Sequence, residues 1–200
     1  MNATTSSQFS AFAGDRLLAT GSLAEVAIAV KMASGTASTA PVLIFDDANG
    51  RVIDLDLRGS HRAIVGRLPQ PAMPAAPAEP EARGRGRPKL GVVAREVTLL
   101  PRHWDWLSAR PGGASVALRK LVEDARRASA DVDRKRAARD AAYHFMSAMA
   151  GDRPGFEEAS RALFAGDIAR LDLLVAAWPV DIRDHLLRLL SAVDPGKSNG

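Results

Sequence analysis

The sequence predicts an α+β protein: a small ββαββ domain at the N-terminus (1–68), a Pro/Ala linker with a basic segment (69–91), a strand-helix-helix unit (92–128) and an all-helical C-terminal region (129–194). Three observations carry that division. Short apolar runs, some alternating with polar residues, crowd the first 60 positions, which is the pattern of strands. A spacer, PQPAMPAAPAEP (69–80), holds five prolines in twelve positions and can continue neither a helix nor a sheet interior. Beyond it, apolar residues recur at helical spacing. Ala and Leu supply most of an apolar content of 46%, against only 5% aromatics.

The elements follow in order. FSAF (9–12) and RLLATG (16–21) flank Gly14-Asp15, a hairpin turn. Ser22-Leu23-Ala24-Glu25 is a capping box, in which hydroxyl and carboxylate each satisfy a backbone N–H at a helix start. The helix it opens runs to about Ala33 with Leu23, Val26, Ala27 and Val30 on one face. VLIFD (42–46) and RVIDLDLR (51–58) bracket Asn49-Gly50, a strong hairpin signal; Ile53, Leu55 and Leu57 should face the core, and Asp54 and Asp56 water. After the spacer, REVTLL (95–100) is a short strand candidate. PRHWDWLSAR (101–110) is a helix opened by Pro101, with Trp104 and Leu107 on one face, and Pro111-Gly112-Gly113 stops it. ASVALRKLVEDARR (114–127) places Leu118, Leu121, Val122 and Ala125 on one stripe. Four further helices are predicted over 131–150, 156–166, 167–178 and 181–193, closed by Gly151, Gly166, Pro179 and Pro195-Gly196.

Composition narrows the function. The chain has no cysteine, so disulfides, thiolate metal sites and cysteine nucleophiles are excluded together. No apolar stretch approaches the ~20 residues of a membrane span, and MNATTSSQFS lacks the basic start and apolar run of a secretory signal; a cytoplasmic protein without membrane contact is expected. The net charge of +4 is unevenly spread. Residues 83–139 hold 15 Lys and Arg against 6 Asp and Glu, whereas 1–82 hold 6 against 8 and 140–200 hold 6 against 9. A basic block between acidic flanks is the footprint of a segment that meets a polyanion, because phosphate neutralisation needs local charge. A solvated linker and a charged helix face would give the same count.

Within the block, RGRGRPKLG (83–91) contains RGRPK (85–89), which resembles the AT-hook, a peptide that lies in the minor groove of A·T-rich DNA. Gly86 lets the backbone approach the groove floor and Pro88 fixes an extended path. Arg85 and Arg87 then point along the narrow groove, with Arg83 and Lys89 near phosphate; the guanine amino group disfavours G·C pairs. VTLLPRHWDWLSARPGGASVALRKLVEDARR (97–127) resembles a ribbon-helix-helix domain of the bacterial antitoxin type. That resemblance implies a dimer, with strands from two chains paired in a ribbon that enters the major groove and the second helix holding a phosphate at its N-terminus. Val97, Leu99, Trp104 and Leu118 would then form the dimer interface, Thr98 would face DNA, and Ala114, Ser115, Arg119 and Lys120 would lie by the phosphate. The outward ribbon face, Glu96, Thr98 and Leu100, departs from the Arg, Lys, Asn or Gln usual there; a shift by one residue would turn Arg95 outward but bury Glu96 and Thr98. Trp104 and Trp106 are core or interface residues before they are base-stacking platforms.

Other segments carry less. Arg134, Lys135, Arg136 and Arg139 extend the basic block, yet Asp131, Asp133 and Asp140 stand at salt-bridge spacing. No nucleophile elbow, phosphate loop or paired-histidine metal motif is present, so no catalytic residue, metal or cofactor is assigned. His61, His103, His144 and His185 stand far apart and are expected at the surface or as satisfied helix residues. Asp46, Asp47, Asp54 and Asp56 could meet across the second hairpin around a cation, although exposed strand aspartates more often only solubilise. The chain as a whole, with GRPKLG, VTLLPRHWDWL and GFEEASRALFAGD, is similar to a proteobacterial family known only as a domain of unknown function. The expected protein is a non-enzymatic DNA-binding dimer, a transcription regulator or nucleoid-associated factor. A protein or small-molecule effector would sit on the N-terminal or C-terminal domain. The alternative is a protein-interaction module, antitoxin-like or scaffolding.

Overall fold

The computed structural model describes residues 8–34, 40–69, 93 and 95–191. The chain divides into two compact units, 1–68 with 131–200, and 69–130.

The first unit is built on four antiparallel strands, β1 (Phe9–Ala13), β2 (Arg16–Gly21), β3 (Val42–Asp46) and β4 (Arg51–Ile53), in the order β2-β1-β3-β4. Helix α1 (Leu23–Ala33) follows β2, and the capping box forms as its sequence predicts: Ser22 accepts from the Glu25 backbone N–H while the Glu25 carboxylate accepts from Ser22 N. The Ser22 backbone N–H, and then its hydroxyl, donate to the Glu25 carboxylate and hold it below its ordinary value. Val26, Ala27 and Val30 are buried on the predicted face, with Leu23 half-buried.

Both faces of the sheet are covered. The pleat sends Ala11 and Ile44, which are paired across β1 and β3, to the side where Val26 and Val30 of α1 pack. Ser10 and Phe12, opposite Phe45 and Leu43, point the other way. There Phe12 and Phe45 enter a core with Phe145 and Met146. The three phenylalanine rings meet at centroid distances of 5.0–6.0 Å in edge-on or tilted pairs. Residues from the two ends of the sequence therefore close one core. A fully buried Phe contributes about 1.5–3 kcal/mol by area alone.

β4 is shorter than its sequence pattern. It ends at Ile53, and residues 54–58 continue without a strand partner, though Ile53, Leu55 and Leu57 stay half-buried against the α1 side while Asp54 and Asp56 are exposed. A short helix that sequence periodicity does not reveal, α2 (His61–Arg67), begins at Ser60, whose hydroxyl accepts from Ala63 N, and buries Ile64. The β3–β4 turn needs its glycine. Gly50 has φ of 67°, and a Cβ there would lie 1.8 Å from the Ala141 carbonyl oxygen.

Helix α3 (Pro101–Ser108) matches its predicted start. The two helices expected over 114–127 and 131–150 are one, α4 (Gly113–Ala150), of 38 residues. Ala128-Ser129-Ala130 lacks an apolar stripe but also lacks any Pro or Gly to break the hydrogen-bond ladder. Residues 95–100, expected as a strand, are not one. A strand needs a ladder partner, and among the described residues the backbone of 95–99 pairs with nothing.

Helices α5 (Phe156–Ala165), α6 (Ile168–Val175) and α7 (Val180–Ser191) complete the first unit. Gly166, at φ of 74°, closes α5, Asp167 caps α6 by accepting from Arg170 N, and the Trp178 indole N–H donates to Pro154 O. Asp181 accepts from Leu17 N at 2.8 Å, tying α7 to the β2 edge. Among the described residues no helix is long and apolar enough to cross a membrane.

Candidate functional site

In the second unit, α3 and the first turns of α4 form a helical hairpin. Leu107 and Ala117 are buried. Around them lies an apolar groove of about 260 Å³ lined by Leu99, His103, Trp106, Leu107, Leu118 and Leu121. Of the residues expected at a dimer interface, Leu99 and Leu118 come together here, both half-buried. Val97 and Trp104 do not line the groove and stand exposed, at 53% and 39%. The Arg110 guanidinium covers the Trp106 ring at 3.9 Å, a cation–π contact that keeps one face of the indole occupied. The α4 stripe also runs outward: Leu121 is 46% and Val122 63% exposed.

The residues expected to meet DNA sort into two groups. Arg83, Arg85, Gly86, Arg87, Pro88 and Lys89 lie outside the described residues. Thr98, Ser115, Arg119 and Lys120 are exposed and Ala114 is half-buried at the start of α4. The helix opens one residue earlier than predicted, at Gly113, behind Gly112 with φ of 87°. Arg119 Nε donates back to Ser115 O of its own helix. Arg126 and Arg127 both engage Glu123, whose carboxyl they draw below its ordinary value. Lys120, Arg95 and Arg102 have no carboxylate partner among the described residues. Arg134 pairs with Asp131, one turn away.

The acidic set of the second hairpin does not act as one group. Asp46 accepts from Ala48 N and Asn49 Nδ2 inside its own turn, and Asp56 accepts from Arg58. Asp47 turns inward instead. It meets Ser10 of β1 and His185 and Arg188 of α7 in a buried polar cluster within the first unit. Ser10 Oγ donates to Asp47 Oδ2 at 2.9 Å, and Arg188 reaches the same oxygen at 3.3 Å.

Arg188 also donates to His185 Nδ1 at 2.6 Å, which makes that nitrogen the acceptor and places the ring proton on Nε2. Nε2 faces Asp47 Oδ1 at 3.5 Å, and neither atom has another partner among the described residues. The ring is packed against Phe12 and Phe145. Burial, and then the Arg188 charge, pull the His185 pKa down to about 3. Burial pushes the Asp47 carboxyl up, while the Ser10 hydrogen bond and Arg188 oppose it. Serine, histidine and aspartate are all here, yet not in the order of a nucleophilic triad. Ser10 gives its proton to the carboxylate rather than to the imidazole, and no face of its hydroxyl meets solvent. The arrangement fastens the β3–β4 turn to α7.

The expectation of a surface or satisfied histidine missed half of this. His185 is buried, and the signal was present: Ile182, His185, Leu186 and Leu189 fall at i, i+3, i+4 and i+7, all on the buried stripe of α7. Asp47 and Ser10 carried no such signal.

The class defined by these features is a mixed α+β protein, with a small four-stranded antiparallel sheet at the N-terminus followed by a mostly helical chain. It belongs to a family of uncharacterised proteins conserved in bacteria, DUF2239, which it matches over residues 8–190. That span takes in elements of both units. Comparison with curated proteins and with solved structures finds no match.

Proposed function

We propose that this protein binds DNA as a homodimer in the bacterial cytoplasm, as a transcription regulator or nucleoid-associated factor without catalytic activity. The observation that carries the reading is the basic block: 15 Lys and Arg against 6 Asp and Glu over 83–139, between two acidic flanks. RGRPK would supply minor-groove contact on A·T-rich duplex. Thr98, Ser115, Arg119 and Lys120 would lie near the major groove and its phosphates, and two weak contacts on one duplex reinforce each other through effective concentration. The 95–99 backbone, which pairs with nothing among the described residues, and the apolar surface at Val97, Leu121 and Val122 suit a ribbon-helix-helix pairing, in which a second copy supplies the strand partner and covers that surface.

Fluorescence anisotropy on A·T-rich and G·C-rich duplexes across a salt series tests the reading. The expected result is tighter A·T binding, with log K falling as log salt rises at about −0.9 per neutralised phosphate. Absence of binding to A·T-rich duplex at low salt would end it. The groove lined by Leu99, Trp106 and Leu118 favours a second reading, a protein-interaction module of antitoxin or scaffolding type. That reading gains if the protein is dimeric or captures a defined partner while the anisotropy stays flat.

A further inference from the structure

A second cavity lies within the first unit, among the helices that follow the sheet, and measures about 630 Å³. Its walls are Leu163 of α5, Ile168 and Ala169 of α6, and Leu187 and Leu190 of α7. Its rim is charged. Lys135 and Arg139 stand one turn apart on α4, and Asp172 of α6 is the single carboxylate among the lining residues. Neither Lys135 nor Asp172 is in an ion pair with another described residue.

From this geometry we infer a binding site for a small amphiphilic anion, a carboxylate head on an apolar body. The argument does not depend on DNA binding. Two cations against one carboxylate leave the rim positive, which selects an anionic head over a cationic one. The Arg139 guanidinium is already held in place, since Nη1 donates to Phe164 O at 3.0 Å at the end of α5. Its remaining N–H groups have no partner among the described residues and can fork onto a carboxylate at little cost in ordering the side chain. Lys135 adds a point charge beside it. The leucine and isoleucine walls have no use for a bare inorganic ion, and the volume lies in the range of small-molecule sites rather than that of a single anion. Burying an alkyl or aryl body there removes from water both the ligand and Ile168, which is otherwise exposed.

Isothermal titration of the full chain with dodecanoate, dodecanol and dodecyltrimethylammonium, each below its micelle concentration, tests the site. Dodecanoate should bind about tenfold more tightly than dodecanol, the value of one charge-assisted hydrogen bond, and the ammonium most weakly. Lys135→Gln with Arg139→Gln should erase the preference for the carboxylate, and Asp172→Asn should increase it; far-UV circular dichroism confirms that each variant is folded. Equal affinity for dodecanoate and dodecanol overturns the inference. So does a carboxylate preference that survives the Lys135 and Arg139 changes. Loss of dodecanoate binding on Leu121→Glu, with Lys135→Gln and Arg139→Gln harmless, would place the ligand in the other unit's groove and refute the site equally.

Discussion

The two units of this chain use large apolar residues in opposite ways. In the first, Phe12, Phe45 and Phe145 are fully buried and touch one another, and the sheet is covered on both faces. In the second, the buried apolar side chains among the described residues are Leu107 and Ala117, while Val97, Trp104, Trp106, Leu121 and Val122 stand exposed. The first unit closes its core with its own residues even though they come from distant parts of the sequence. The second has the pattern of a core that its described residues do not close. Small units of this kind are marginal alone and gain stability from a partner surface.

Point substitutions in each unit would break or sharpen that contrast. Phe145→Ala should cost about 3–5 kcal/mol in chemical denaturation, because the cavity lies at the centre of a packed aromatic group. A cost under 1 kcal/mol would mean the core is not as closed as described. Asp47→Ala comes next, at about 1–3 kcal/mol, since it leaves Ser10 and one side of Arg188 unsatisfied in a part-buried site.

The same cluster sets a pH dependence. The native imidazole of His185 takes up its proton near 3 and the unfolded one near 6.5, so protonation favours the unfolded chain. The stability it contributes is whole above about pH 6.5 and is lost as pH falls toward 3, by up to about 1.4 kcal/mol per pH unit for one proton. Asp47 acts with the opposite sign: its raised carboxyl contributes stability below the ordinary value of 3.8, which is lost as pH rises through the native pKa. Denaturation midpoints of wild type and His185→Gln should therefore converge on acidification. Parallel curves would remove His185 from the account.

In the second unit Val97→Asp should change mass before it changes the helical content of the chain. On the proposed pairing of 95–100, light scattering should report dimers for the wild type and monomers for the variant, and an unchanged mass would refute that pairing. A smaller effect is expected from Lys120→Ala, which should reduce the salt slope of the proposed DNA binding by about one phosphate, with no change in thermal midpoint. Arg85→Ala with Arg87→Ala should weaken binding to A·T-rich more than to G·C-rich duplex; an equal loss on both would reduce RGRPK to a plain charge effect.

What was legible in the sequence was local. The Ser22–Glu25 box, the Asn49-Gly50 turn, the alternation through Ile53, Leu55 and Leu57, and the Gly166 stop of α5 all depend on residues within a few positions of each other; α6 ends at Val175, short of the expected Trp178, and the Pro195-Gly196 stop lies outside the described residues. The joining of two helices into α4 was not legible, because loss of an apolar stripe at 128–130 resembles a break although the backbone needs none. Helix α2 is too short to show a period. The Asp47 cluster joins positions as far as 178 residues apart, and no spacing rule reaches that far. The groove of the second unit was half visible: Leu99 and Leu118 were expected together, whereas Val97 and Trp104 fall outside it. Trp106 enters where Trp104 was expected because His103, Trp106 and Leu107 fall at i, i+3 and i+4 of α3 and line the groove together with Leu118 and Leu121.

The three tryptophans of the chain happen to divide along the same line. Trp178 is 6% exposed with its indole N–H held by Pro154 O, whereas Trp104 and Trp106 are open to water. Emission from Trp178 should be blue-shifted and shielded from acrylamide, and that of the other two red-shifted and readily quenched, apart from the Trp106 face that Arg110 covers. One optical spectrum thus carries two separable signals. The red component would move to shorter wavelength on self-association at constant temperature, and the blue one would be lost only when the aromatic core melts.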